Sequence, residues 1–408
     1  MSKFTPLKDT ALFKPLQLGA LQLEHRVFQA PLTRMRGQKE GDGIFVPVDR
    51  AVEYYSQRAT KGGLQLTEAT DICQYASGYP GVPGIFTASQ IAGWKRVTDA
   101  VHAKGGNIFL QMWHTGRASP ASFVGGSQPL SSSDIPIAGK ALDGTLYSDT
   151  PPRPATVEEI KNITQEFAAA AKRAREAGFD GVEIHGANGY LLDQFLHDNV
   201  NRRTDQYGGS MENRCRFPLE VIKAVCDSIG SDRVGIRLTP YNYFQDTKDS
   251  NPVKHWSYLC EQIVRLPRER RPAYVHMVEP RFDEVLDEKA KLDALSAFTS
   301  NEGVEAEATM KGAISLKPFR GILAQGEVKF VAAGGFNRDN AAPKLESGDA
   351  DAIIFGRWFI ANPDLPKRLA EGLPLNEYDR STFYGADPPE KGYTDYPFYE
   401  ASTVNGTS

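Results

Sequence analysis

Residues 156–185 read TVEEIKNITQEFAAAAKRAREAGFDGVEIH, a helix handing over to a strand. Thr156-Val157-Glu158-Glu159 is a capping box, in which a hydroxyl and a carboxylate satisfy each other's free backbone N–H groups. Ile160, Ile163, Phe167, Ala170, Ala174 and Ala177 recur at helical spacing and make one apolar stripe. Gly178 suits the left-handed residue that ends a helix. Residues 180–185 then read as a strand. Working outward, seven more short β-branched or apolar runs fall at 26–31, 64–69, 107–112, 233–239, 273–278, 328–333 and 351–355. A second clear helix covers 89–104 and stops at Gly105-Gly106. Runs of this near-continuous apolar character fit strands covered on both faces. Alternation of strands with helices predicts a parallel sheet, and eight units predict a closed (β/α)8 barrel of the α/β class. We expect that barrel to occupy residues 1–400 as a single domain, with 401–408 as a flexible tail.

Bulk properties narrow the function. The 408 residues are 40% apolar and 24% charged, with a net charge of −4, so nucleic acid is not an expected partner. The Arg268-Glu269-Arg270-Arg271 cluster is short and contains an acid. No apolar run approaches a membrane span, and the first residues lack the apolar core of a secretory signal. Cys73, Cys215, Cys226 and Cys260 show no metal-ligand spacing and no disulfide framework, which points to a reducing, cytoplasmic setting. Cys73 reads as an inert buried thiol.

Chemistry should sit at one end of the barrel. Long connections follow strands three, four and six, notably 114–154 and 279–317, and barrel enzymes build their sites on such loops. Thr33, Ala69, Gln111, His185, Arg237, Gly334 and Gly356 all lie at or just past strand ends. His185-Gly186-Ala187-Asn188-Gly189-Tyr190 puts an imidazole, a carboxamide and a phenol within six residues. A helical turn there would point His185 and Asn188 the same way. Two converging donors can hold a carbonyl oxygen, and a phenol can give up a proton. Taken singly, each has a bland reading, as a core histidine or a turn asparagine. Gly334-Gly335 and Gly356-Arg357 suit a phosphate, or simply tight turns. Arg237 is a buried cation that needs a partner, in a core ion pair or at a site. No GxGxxG follows a strand, so no Rossmann-type nucleotide site is expected.

The stretch 185–217, HGANGYLLDQFLHDNVNRRTDQYGGSMENRCRF, resembles the signature region of the Old Yellow Enzyme family of FMN-dependent ene-reductases. Further matches are Ala30-Pro31-Leu32-Thr33-Arg34-Met35, Gln111-Met112-Trp113, Gly235-Ile236-Arg237-Leu238 and the run YVHMVEPR at 274–281. Gly334-Gly335, Phe355-Gly356-Arg357 and the run YDRSTFY at 378–384 complete them. The resemblance spans roughly residues 12–400.

It implies non-covalent FMN, with backbone amides at Gly334, Gly335 and Gly356 and the Arg357 guanidinium on the phosphate. It places Arg237 beside the pyrimidine edge of the ring, Thr33 and Gln111 in hydrogen bonds to it, and Pro31, Leu32 and Ala69 against it. His185 and Asn188 would hold the substrate carbonyl, and Tyr190 would protonate Cα. Trp113, Tyr384 and Phe383 would line the substrate pocket, with Tyr79 and Phe244 as weaker candidates. The implied activity is NADPH-dependent, possibly NADH-dependent, reduction of α,β-unsaturated carbonyl compounds by alternate use of one pocket, in a monomer or homodimer. Alternatives are a flavin-dependent isomerase on the same barrel, a non-catalytic flavin-binding protein, or a phosphate-binding barrel without flavin.

Overall fold

A computed structural model describes residues 4–77, 79–282 and 314–400. Eight parallel strands close into a barrel: β1 (Val27–Gln29), β2 (Leu64–Leu66), β3 (Asn107–Trp113), β4 (Gly181–Gly186), β5 (Val234–Leu238), β6 (Tyr274–Val278), β7 (Lys329–Ala333) and β8 (Ala352–Phe355). β8 pairs with β1, Phe355 opposite Gln29, so the described sheet has no free edge in the ring. Every expected strand is present, with ends displaced by up to three residues: β3 and β4 run one residue farther than expected, and the other six are shorter. The expected tail at 401–408, and residues 283–313 of the connection after β6, lie outside the described residues.

Helices cover the outer face: α1 (Asp49–Arg58), α2 (Ala88–His102), α3 (Val157–Glu176), α4 (Leu191–Leu196), α5 (Met211–Ile229), α6 (Pro252–Arg265), α7 (Lys317–Gln325) and α8 (Ala341–Glu346). The start of α3 is as its sequence demands. The Glu159 N–H donates to Thr156 Oγ1 (3.1 Å), and the Thr156 N–H donates to Glu159 Oε2 (2.8 Å). Its apolar stripe is buried, and Gly178 adopts φ +88° just beyond it. α2 carries the same device, Thr87 with Gln90. No described helix is long and apolar enough to cross a membrane.

The barrel interior is divided in two. At the N-terminal end it is apolar: Phe28, Leu64, Leu66, Phe109, Tyr274, Val331, Ala352 and Ile354 pack together. A hairpin, Leu16–Leu18 against Leu21–Leu23, caps that end with three buried leucines, each worth about 1.5–3 kcal/mol of burial. Its turn requires Gly19: φ is +55°, and a Cβ there would stand 1.9 Å from Asp232 O. Nearer the C-terminal end, β3 to β6 contribute the polar side chains Gln111, Glu183, Arg237 and His276, while Ala30, Val278 and Ala333 stay apolar on the other side. The connection at 114–154 is not featureless, since Leu130–Ser131 pairs in parallel with Arg153–Pro154.

Candidate active site

Successive side chains of a strand point to opposite faces, so one in two lies inside the ring. On β4 those are Glu183 and His185. Glu183 is completely buried. Gln111 Nε2 donates to its Oε1 (2.8 Å), the Tyr274 hydroxyl donates to Oε2 (3.1 Å), and His276 Nδ1 lies 3.0 Å from Oε2. Burial alone would raise the Glu183 carboxyl, but His276, Arg237 and Gln111 together hold it below the usual carboxylate range. Arg237 stands in register between His185 on β4 and His276 on β6. Burial first, then the charges of Arg237 and His276, pushes His185 well below its ordinary value. His185 is therefore a neutral imidazole. Its Nδ1 is buried without a hydrogen-bond partner among the described residues.

Beyond β4 the chain does not enter the expected helical turn. His185 is still strand, Asn188 and Gly189 take φ +57° and +75°, and the Tyr190 N–H donates to Ala187 O (3.2 Å). This is a type I′ turn, which needs left-handed residues at both central positions, and Asn-Gly supplies them at low strain. Thr239, just past β5, fixes the turn by accepting from the Asn188 N–H (2.9 Å). Asp193 and Gln194 of α4 hold Gly189 from below, at 2.8 and 2.7 Å. The turn delivers Tyr190 edge-on to His185 at 5.0 Å between ring centroids. Trp113, at the end of β3, meets Tyr190 at 4.7 Å and His185 at 6.2 Å. Tyr79 closes the group, 5.6 Å from Trp113 and 6.5 Å from Tyr190. Its phenol is held well above its ordinary value by burial and by Tyr190.

Other expected residues sit around this cluster. Ala69 is buried against Trp113 and Val82. Pro31, Leu32 and Thr33 follow β1 directly, beyond an Ala30 N–H bonded to Phe355 O (3.0 Å). Arg34 then ties the C-terminal segment to this mouth, donating to the carbonyls of Phe383 (3.0 Å), Thr382 (3.3 Å) and Gly392 (2.7 Å). Tyr384 is thereby brought to the rim but is 67% exposed. The Phe383 ring packs on Tyr378 (5.8 Å), outside the His185–Tyr190–Trp113 group. Phe244 is half-buried, and its carbonyl would meet a Cβ on Gly189 at 3.0 Å. Cys73 is buried with its thiol pushed up to about 12 by burial, as an inert thiol would be.

Gly334 and Gly335 end β7 with φ +108° and +65°, conformations that only glycine adopts freely. Gly356 differs: φ is −96°, and a Cβ there would meet only ordinary contacts at 3.6 Å. Arg357 opens a helix of five residues and its guanidinium lies 5.0 Å from the Phe282 ring. Sequence reasoning missed Glu183, His276, Tyr274 and Asp71, whose carboxylate accepts a hydrogen bond from the Trp113 indole. An acid inside a barrel strand was the available signal for Glu183.

These features suit FMN. A planar ring with one hydrogen-bonding edge and one apolar edge matches a mouth that is polar over β3 to β6 and apolar over β7, β8 and β1. The left-handed glycines at the end of β7 leave backbone open beside it.

Residues 11–376 match the profile of the NADH:flavin oxidoreductase / NADH oxidase family. The chain is 64% identical to flavin oxidoreductase hxnT of Emericella nidulans over 398 residues, covering 98% of this chain and 100% of the relative. It is 48% identical to 12-oxophytodienoate reductase 1 of Oryza sativa subsp. japonica over 390 residues, or 95% and 93% of the two chains. Among solved structures, morphinone reductase superposes with a TM-score of 0.81 at 42% identity, covering 100% of this chain and 99% of the other. Its complex with tetrahydroNAD gives 0.79 at 42%, covering 97% and 99%.

Proposed function

The chain belongs to the NADH:flavin oxidoreductase / NADH oxidase family, that of Old Yellow Enzyme, and from this we propose how its residues reduce the activated C=C bond of α,β-unsaturated aldehydes and ketones. The observation that carries the reading is the group His185, Asn188 and Tyr190 at the C-terminal end of β4, with the His185 imidazole and the Tyr190 phenol 5.0 Å apart between ring centroids in a T-shaped pair.

FMN, when bound, supplies the hydride that it takes from a reduced nicotinamide. Gly334, Gly335 and Gly356 would leave backbone amides to its phosphate, with Arg357 as the paired cation. Arg237 would face the ring's pyrimidine edge and favour negative charge there, while Gln111 and Thr33 bond the edge and Pro31, Leu32 and Ala69 pack against it. His185 and Asn188 hold the substrate carbonyl oxygen and stabilise the charge that develops on it. Tyr190 then donates its proton to Cα. General acid transfer of this kind is worth roughly 10²–10⁴-fold. Trp113 and Tyr79 wall the pocket, with Phe244, Phe383 and Tyr384 farther out.

NADPH is our choice of reductant, with NADH kept beside it because morphinone reductase has been solved with tetrahydroNAD. The four free, buried cysteines suit a reducing compartment, and we place the protein in the cytoplasm. The phenol of Tyr190 argues against an isomerase that recycles hydride without net reduction, and a flavin-binding protein without catalysis needs no proton donor.

Phenols test the carbonyl site, because a phenolate mimics an enolate. Phenol titration of the FMN-loaded protein should produce a long-wavelength charge-transfer band. Replacing both His185 and Asn188 with alanine should abolish it and slow enone reduction. Phenol affinity unchanged in that double variant would refute the assignment.

A further inference from the structure

Trp113 is 1% exposed, and a buried indole N–H must find an acceptor. Asp71 provides it through Oδ1. The pairing is built into the sheet. Thr70–Asp71 runs parallel to the end of β3, with Asp71 opposite Trp113, so the two side chains leave neighbouring strands on the same side. The backbone of Asp71 is itself pinned, its N–H on Pro83 O (3.1 Å) and its carbonyl on the Ile85 N–H (3.0 Å). Through Trp113, Asp71 reaches two of the groups assigned to chemistry, Tyr190 and His185, and the neighbouring wall residue Tyr79.

We propose that Asp71 is a positioning residue for the substrate pocket: it selects the one rotation of the Trp113 indole that sets it T-shaped against Tyr190 and near-parallel to His185. The proposal rests on the reading of Trp113 as a wall of that pocket. With interplanar angles of 66° to Tyr190 and 23° to His185, a turned indole would drive its six-membered ring toward one of them. The wall then decides which face of an enone lies toward the hydride donor.

A protonated carboxyl still accepts the indole N–H through its carbonyl oxygen. Burial pushes the Asp71 carboxyl up to about 8, against the opposing hydrogen bonds of Trp113 and Ser77. Asparagine is its isostere in that form and keeps a carbonyl for the indole. Leucine keeps the volume and loses the acceptor.

Three variants of the FMN-loaded protein test this, with 3-methylcyclohexenone as substrate and with the Trp113 indole N–H followed by NMR. Asp71→Leu should shift that resonance and hasten its exchange with solvent. It should also raise KM for the enone about tenfold, the worth of one ordinary hydrogen bond, and erode the enantiomer ratio of the product. Asp71→Asn should stay within about twofold of wild type on each count, by the same measure. Trp113→Phe should change KM and enantiomer ratio by itself, and adding Asp71→Leu to it should change neither further, because the two act as one unit. If Asp71→Leu does not fold, Asp71→Ala takes its place. An unchanged enantiomer ratio and KM in Asp71→Leu, while Trp113→Phe alters them, overturns the positioning role. So does an Asp71→Asn variant as impaired as Asp71→Leu. An unaltered Trp113→Phe would instead overturn the pocket reading, and this proposal with it.

Discussion

Arg357 stands two residues beyond β8, with its guanidinium over the Phe282 ring. If it holds the FMN phosphate, Arg357→Ala should retain the barrel, by circular dichroism, and lose flavin on dialysis, with Kd raised by about tenfold or more for one charge-assisted hydrogen bond. Flavin occupancy equal to wild type would remove Arg357 from the site. The gathering of side chains at this mouth was legible by type and by place: His185 and Tyr190, within one six-residue stretch of sequence, do meet at 5.0 Å between ring centroids. The route to their convergence was not legible. A helical turn would point His185 and Asn188 the same way, whereas the left-handed pair Asn188-Gly189 folds back in a type I′ turn. Glu183, His276 and Asp71 were silent for a different reason. Each takes its place only through a partner on another strand, and those partners are set by register.

Among elements, the eight strands were readable because burial on both faces leaves few polar interruptions. α2 and α3 were readable because their caps and apolar stripes agree. The last residues of each strand were not, since a strand ends where its neighbours stop pairing. β2 illustrates this: it closes at Leu66, yet the Thr67 N–H still reaches Phe109 O (3.0 Å), and Thr70–Asp71 pairs again farther on. The hairpin at Leu16–Leu18 and Leu21–Leu23 went unnoticed in the sequence. Three-residue strands carry too little periodicity to register, and only the open end of a barrel gives those leucines a reason to pair. Similarly, Arg34 in the stretch after β1 reads as a surface charge until the 382–392 segment is folded over it.

At the scale of the whole molecule, buried ionisable groups set a pH optimum for stability. Five of the seven histidines lie below their ordinary value, burial being the first cause: His25 at about 4, His114 at about 3, and His185, His255 and His276. As pH falls below the unfolded value of about 6.5, the unfolded chain binds protons that the fold refuses, so stability is lost toward acid. Two buried acids work in the opposite sense. Glu68 and Asp71 are pushed up to about 7 and about 8 by burial, so they cost stability as pH rises from about 4 to those values. Five histidines outweigh two acids in the acid range, and only the acids remain above it. The thermal midpoint, measured with excess FMN, should therefore peak near pH ~6.5 and decline on both sides. A midpoint still climbing at pH 8 would contradict this. The same scale joins the two half-reactions, which share one pocket but make different demands on it. If Tyr190 is the proton donor, it has no task while the flavin is being reduced and is needed only when Cα takes its proton. Tyr190→Phe keeps the ring against His185 and Trp113 and removes the donor. In stopped flow, flavin reduction by NADPH should remain close to wild type, while reoxidation by a simple enone should slow by roughly 10²–10⁴-fold. Slow flavin reduction with enone reoxidation left intact would contradict the account.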